Sequence, residues 1–248
     1  MAQNPDVTGR EILPIPDIPS KGKIALDARN AEFPAYQPLR PPKGAPNVVI
    51  ALIDDMGFGC PSANGGPVNM PAMEKVAERG LLYNRFHTTA LCSPTRQALL
   101  TGRNHHSAGM GSVAEVATGA PGNDSVRPNT VATVAEMLRL NGYNTGAVGK
   151  MHQTPVWEVS MSGPFDRWPT GDGFEKFYGF VGGETNQWAP TLFLGTSPVE
   201  PWGTAEDGYH FSEDIVDKAI AYMRGQHTMT PDKPFFLYCS FGATHAPH

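Results

Sequence analysis

Three cysteines in a 248-residue chain, Cys60, Cys92 and Cys239, are too few for a disulfide framework, so stability must come from a packed core. Lysine and arginine total 19 against 24 acidic residues, a net charge of −5, and no segment carries a basic stripe. That leaves no electrostatic footprint for nucleic acid. No apolar run approaches the length of a membrane span, which argues against a membrane partner. The opening residues, Met1-Ala2-Gln3-Asn4-Pro5-Asp6, have neither the basic nor the apolar stretch of a secretory signal, and a cytoplasmic location is expected. What is present is globular composition, 40% hydrophobic and 17% charged, enough for a sizeable core.

Prolines punctuate the start. Residues 1–46 hold nine of the 24 prolines without a sustained period and read as an extended arm, with Ile12, Leu13, Ile15 and Ile18 available for burial. A domain begins at 47, where the β-branched run Val48 to Ile53 predicts a strand covered on both faces. Helices are expected over 71–79 (stopped by Gly80), 94–102, 130–140 and 210–224. Strands are expected over 81–88, 145–149 and 234–241. Strands separated by helices of this length predict an α/β fold with a largely parallel central sheet and helices on both faces. The chain stops seven residues after the last strand without a closing helix, so a domain truncated at its C-terminus is expected over 47–248.

The densest local pattern is Cys92-Ser93-Pro94-Thr95-Arg96, followed by Thr101-Gly102-Arg103. Pro94 suits a first helical turn, and the residue before a proline is pushed out of the helical region, so Ser93 should be extended and Cys92 should lie in the entering loop. First-turn N–H groups would then face an anion beside Cys92, and Arg96, one turn on, offers a planar fork that fits sulfate or phosphate oxygens. On these residues alone, a half-buried cysteine at an ordinary helix start fits as well.

Two further clusters fall where strands end. Asp54-Asp55 follow the first predicted strand and precede Met56-Gly57, the place where α/β sheets bind ligands. Adjacent acids without a basic partner repel each other, which a hard divalent cation relieves; a solvated turn is the alternative. Lys150 and His152, two apart after the strand at 145–149, project to one side. They could hold an oxyanion and hydrogen-bond a nucleophile, or be solvated on a surface loop. All four tryptophans lie within 157–202 among further aromatics, in a stretch that reads either as core or as a loop region over the site. His105 and His106 read as capping or surface residues.

The pattern C-x-P-T-R-x-x-x-x-T-G resembles the sulfatase signature, and Asp54-Asp55, Gly149-Lys150-Met151-His152 and His245-Ala246-Pro247 resemble further elements of that family in the same order. The likeness covers residues 46 to 248 and implies the alkaline-phosphatase-like sulfatase fold. The string from Gly163 to Trp188 looks like bacterial arylsulfatases in particular.

The resemblance implies that a formylglycine-generating enzyme oxidises Cys92 to formylglycine, and that Asp54, Asp55 and the converted Cys92 bind calcium. It further implies that Arg96 and Lys150 hold the sulfate, that His152 brackets the formylglycine, and that His245 protonates the departing oxygen or binds the sulfate. The expected activity is hydrolysis of a small-molecule sulfate ester in two steps through a covalent intermediate. Rival expectations are a phosphonate monoester or phosphodiester hydrolase of the same fold, and a fragment that binds a metal or partner without turnover. In the family a second metal-binding Asp-Asn pair and a second lysine lie downstream of the position matching residue 248. A thiolate hydrolase using Cys92 finds no cysteine-protease pattern around it.

Overall fold

The computed structural model describes residues 22–35 and 39–248. The chain divides into two compact units between Leu39 and Arg40. In the first, Lys23 and Glu32 form an antiparallel bridge, and the Asp27 carboxylate caps a short 3-10 turn at Ala28–Asn30. Ile12, Leu13, Ile15 and Ile18 lie outside the described residues.

The second unit is built on a six-stranded sheet. Its strands are β1 (Val48–Leu52), β2 (Asn144–Lys150), β3 (Lys176–Phe180), β4 (Leu192–Leu194), β5 (Ser197–Val199) and β6 (Phe235–Ser240). Their order is β1-β6-β2-β3-β4-β5. The β1–β6, β6–β2 and β2–β3 pairs are parallel, while β4 and β5 add an antiparallel edge. The helices are α1 (Pro71–Arg79), α2 (Cys92–Thr101), α3 (Val134–Arg139) and α4 (Phe211–Met229).

Strand β6 shows how the layers form. Its side chains alternate, so Phe236 and Tyr238 enter one core with Leu100 of α2, Ala135 of α3 and Trp168. Phe235, Leu237 and Cys239 enter the other, against Phe211, Ile215 and Ala219 of α4. Both faces are covered, and the fold is α/β with a largely parallel central sheet and helices on each side.

Several local expectations are corrected. The apolar run at 48–53 is not buried on both faces: β1 lies at the sheet edge, and Val49 is 49% exposed. Residues 81–88 form no strand, since no neighbouring strand offers them a ladder, and Leu81, Leu82, Tyr83 and Phe86 are exposed. Helix α3 begins at Val134 rather than 130, because the Thr133 side chain accepts from the Glu136 N–H at 3.0 Å and so sets the cap there. Helix α4 runs on to Met229, and its cap is the His210 ring, which accepts from the Ser212 N–H at 3.2 Å. The aromatic stretch supplies β3 to β5 and much of the core, with Trp168, Phe174 and Phe177 buried.

The parallel strands end level with one another, Leu52 opposite Ser240 and Gly149 opposite Ser240. Gly149 makes this closeness possible. It sits at φ +95°, and a Cβ there would fall 1.8 Å from the Ser240 carbonyl oxygen. The segments leaving β1, β2 and β6 therefore emerge side by side at the carboxyl edge of the sheet, where parallel sheets place ligand sites.

Candidate active site

Asp54 leaves β1 and is stitched to the segment leaving β6. Its N–H donates to the Ala243 carbonyl at 3.0 Å, and its own carbonyl accepts from the Thr244 N–H at 2.7 Å. The side chain points into a buried cationic pair. One carboxylate oxygen accepts from Arg96 Nη2 at 2.9 Å and the other from Lys150 Nζ at 2.5 Å. All three side chains are at most 5% exposed.

Burial pushes the Asp54 carboxyl up, but the Arg96 and Lys150 charges outweigh it and hold the group below the usual carboxylate range. The Arg96 fork is further committed to the Lys150 carbonyl at 3.1 Å, to Tyr238 Oη at 3.3 Å and to Ser240 Oγ. Its Nε is buried without a partner. Arg96 therefore turns its Nη2 to Asp54, although its spacing from Cys92 predicted a reach back toward that residue, with which it lines one cavity.

Helix α2 starts one residue earlier than its proline suggests. Leu91 is extended (φ −135°, ψ 155°), and Cys92 and Ser93 are already helical. Ser93 is held by burial and by its Oγ, which accepts from the Ala114 N–H at 3.3 Å, and this tertiary tie outweighs the preference of a residue before proline. Cys92 thus sits at the first turn, beside backbone N–H groups that have no partner within the helix.

Its sulfur lies 3.0 Å from His152 Nδ1. Across the ring, His152 Nε2 meets both carboxylate oxygens of Glu115, at 2.8 and 2.9 Å. Burial holds the His152 pKa below the ordinary imidazole value; Glu115 pulls it up, and Lys150 and Arg96 add to the lowering. His152 takes a left-handed backbone (φ 39°) to reach this position.

His245 approaches Asp55, with Nε2 3.8 Å from Asp55 Oδ2. Asp54, Asp55 and His245 offer ligand atoms all within 4.8 Å of one another. The unmodified Cys92 sulfur lies outside this group, at 3.0 Å from His152 Nδ1. His245 stands with the aspartates.

Two carboxylates suit a hard divalent cation in kind. In number they supply less than the six to eight oxygens that calcium takes, and Asp54 already serves two cationic side chains. The rest of a cation's shell would come from groups beyond these two carboxylates. Asp54, Asp55, Cys92, Thr95 and Arg96 line a cavity of about 320 Å³. It brings together a thiol, a buried guanidinium and an acidic pair, with the His152 ring at 3.0 Å from the sulfur.

Sequence motifs missed Glu115, Tyr238 and Ser240. Tyr238 and Ser240 carried one signal, two polar-tipped residues on one face of an otherwise apolar strand. Glu115 lies in a one-turn 3-10 segment, Ala114–Val116, and carried none.

The sulfatase family model matches residues 46–248. The chain is 33% identical over 211 residues to an arylsulfatase of Klebsiella aerogenes, covering 82% of this chain and 43% of that protein. It is 29% identical over 226 residues to N-acetylgalactosamine-6-sulfatase of Mus musculus, covering 82% and 40%. The chain thus spans under half the length of these relatives. The fold matches the crystal structure of the sulfatase yidJ from Bacteroides fragilis with a TM-score of 0.64 at 21% identity, over 86% of this chain and 46% of that one. With the whole of 46–248 matched by that model, the chain belongs to the sulfatase family.

Proposed function

We propose that this chain carries the nucleophile half of a sulfate ester hydrolase of the arylsulfatase type. The observation that carries the reading is the sulfur of Cys92, held at a helix start 3.0 Å from an imidazole nitrogen and lining one cleft with Asp54, Asp55 and Arg96. Maturation of Cys92 to formylglycine by a generating enzyme would supply an oxygen nucleophile, and a divalent cation such as calcium held by Asp54 and Asp55 would supply Lewis acidity.

The chain's own residues have distinct tasks. Arg96 and Lys150 balance the charges of Asp54 and Asp55, and a bound cation tips the cleft positive, which suits an anionic sulfuryl group. His152, with Nδ1 facing residue 92, accepts a proton from the group bound there. His245, beside Asp55, would hand a proton to a departing oxygen. An aryl leaving group follows the Klebsiella aerogenes relative's name.

The test is turnover by protein co-expressed with a formylglycine-generating enzyme and supplied with calcium. Aryl sulfate hydrolysis by the 248-residue chain alone is expected to be weak, because it spans under half of its relatives' length, and to be lost in Cys92→Ala. The peptide spanning residue 92 is expected to have lost its sulfur and two hydrogens and gained one oxygen, the change from –CH2SH to –CHO that the generating enzyme makes with an external oxidant. Active protein with an unmodified thiol overturns the formylglycine assignment, and faster hydrolysis of a phosphonate monoester than of the aryl sulfate overturns the substrate class.

A further inference from the structure

Glu115 belongs to none of the motifs, yet it closes a chain of contacts onto residue 92. Three segments meet there. The turn at Ala114–Val116 is tied to α2 by the Ala114 N–H donating to Ser93 Oγ at 3.3 Å, one residue from Cys92. The segment after β2 brings His152. The Gly182-Gly183 bend closes over the contact between them. A Cβ at Gly183 would lie 2.8 Å from both Glu115 Oε1 and His152 Nε2, so only a residue without a side chain leaves room for that pair.

We infer that Glu115 is a positioning residue that fixes the ring tautomer of His152, leaving Nδ1 as a bare acceptor aimed at residue 92. The argument is one of hydrogen-bond inventory. A carboxylate has no proton to give, so the ring nitrogen that faces it must carry one. Both Glu115 oxygens face Nε2, at 2.8 and 2.9 Å. A neutral imidazole holding its proton on Nε2 presents a lone pair at Nδ1, 3.0 Å from Cys92 Sγ. Without the carboxylate, the ring could place its proton on Nδ1, lose its acceptor toward residue 92 and rotate.

The inference deepens the proposed function in the use made of Nδ1, but its test needs neither maturation nor metal. The full chain with unmodified Cys92 is labelled with ¹⁵N-histidine, and the His152 ring signals are assigned by their loss in His152→Gln. The expected result is a single Nε2–H tautomer in the parent chain at a pH where the ring is neutral. Glu115→Ala and Gly183→Ala should each give a mixture of tautomers with unchanged near-UV circular dichroism. Glu115 is half-exposed, and Gly183 has no positive φ and would press only on side-chain ends, so both variants should fold.

Iodoacetamide alkylation of Cys92, followed by mass, should slow roughly threefold to tenfold in both as the acceptor is lost. An Nδ1–H tautomer in the parent chain, or an unchanged tautomer in both variants, overturns the inference. The expected tautomer pattern in protein that hydrolyses a phosphonate monoester faster than an aryl sulfate supports this inference while refuting the proposed function.

Discussion

Asp54 is where the electrostatics of the cleft balance. Its two oxygens are the carboxylate partners of Arg96 and Lys150, both essentially without solvent. Removing one member of a buried ion cluster strands the others, at about 3–5 kcal/mol. Asp54→Asn is therefore expected to lower the unfolding free energy by that order, read as a shift in the urea midpoint at constant slope. Because the folded carboxyl has a depressed pKa, its stabilisation is complete above the ordinary aspartate range and is lost as pH falls through the folded value. The acid limb of the stability profile should flatten in Asp54→Asn; an unchanged limb would sink the assignment. Asp54, Lys150, His152 and Cys92 were legible in the sequence because chemistry-bearing side chains stand at predictable strand ends and helix starts. Glu115 was not, since it reaches the site through a tertiary tie to Ser93 that no local period encodes.

Gly149 shows what an element contributes that its side chains cannot. It stands opposite Gly179 on β3 and Ser240 on β6, and a Cβ would strike the Ser240 carbonyl, which is backbone and cannot swing aside. Gly149→Ala is expected to separate β2 from β6, moving Lys150 and His152 from Asp54 and Cys92. Soluble folded yield should fall severely, while Gly195→Ala, in open space at a positive φ, should cost only about 1 kcal/mol; equal behaviour of the two would refute the argument. Ser93→Ala, losing the Ala114 bond, is expected to cost about 0.5–1.5 kcal/mol by thermal unfolding. Long elements were readable: α1 and β6 keep their expected spans within a residue, because periodicity or a continuous apolar run marks them. Strands β4 and β5, three residues each, lie in Gly- and Pro-rich sequence too short to show alternation, and 81–88 looked strand-like while having no ladder to join. Propensity describes what a segment tolerates, and pairing decides what it does.

At the scale of the 40–248 unit, the parallel sheet was legible from the alternation of strands and helices, but the position of β1 within it was not. An apolar run reads the same in a central strand and at an edge, because sequence records burial preference and not the neighbours that satisfy it. In the structure β1 has one ladder, to β6, and its side chains alternate between partly buried and exposed. Beside it, Ile50, Leu52, Phe86, Leu91 and Leu99 line an apolar groove of about 840 Å³. An unpaired edge next to apolar surface is a template for association between chains. The chain at high concentration is therefore expected to bind a hydrophobic dye and to grow in mass by light scattering. Val49→Lys places a charge on the exposed face of the edge strand, where it costs the β1–β6 ladder nothing. It should reduce dye binding and mass growth together while leaving the urea midpoint unchanged. A parent chain that stays monomeric and binds no dye across the concentration range would show that the edge is protected, and a lowered midpoint in Val49→Lys would show that Val49 packs against something in solution.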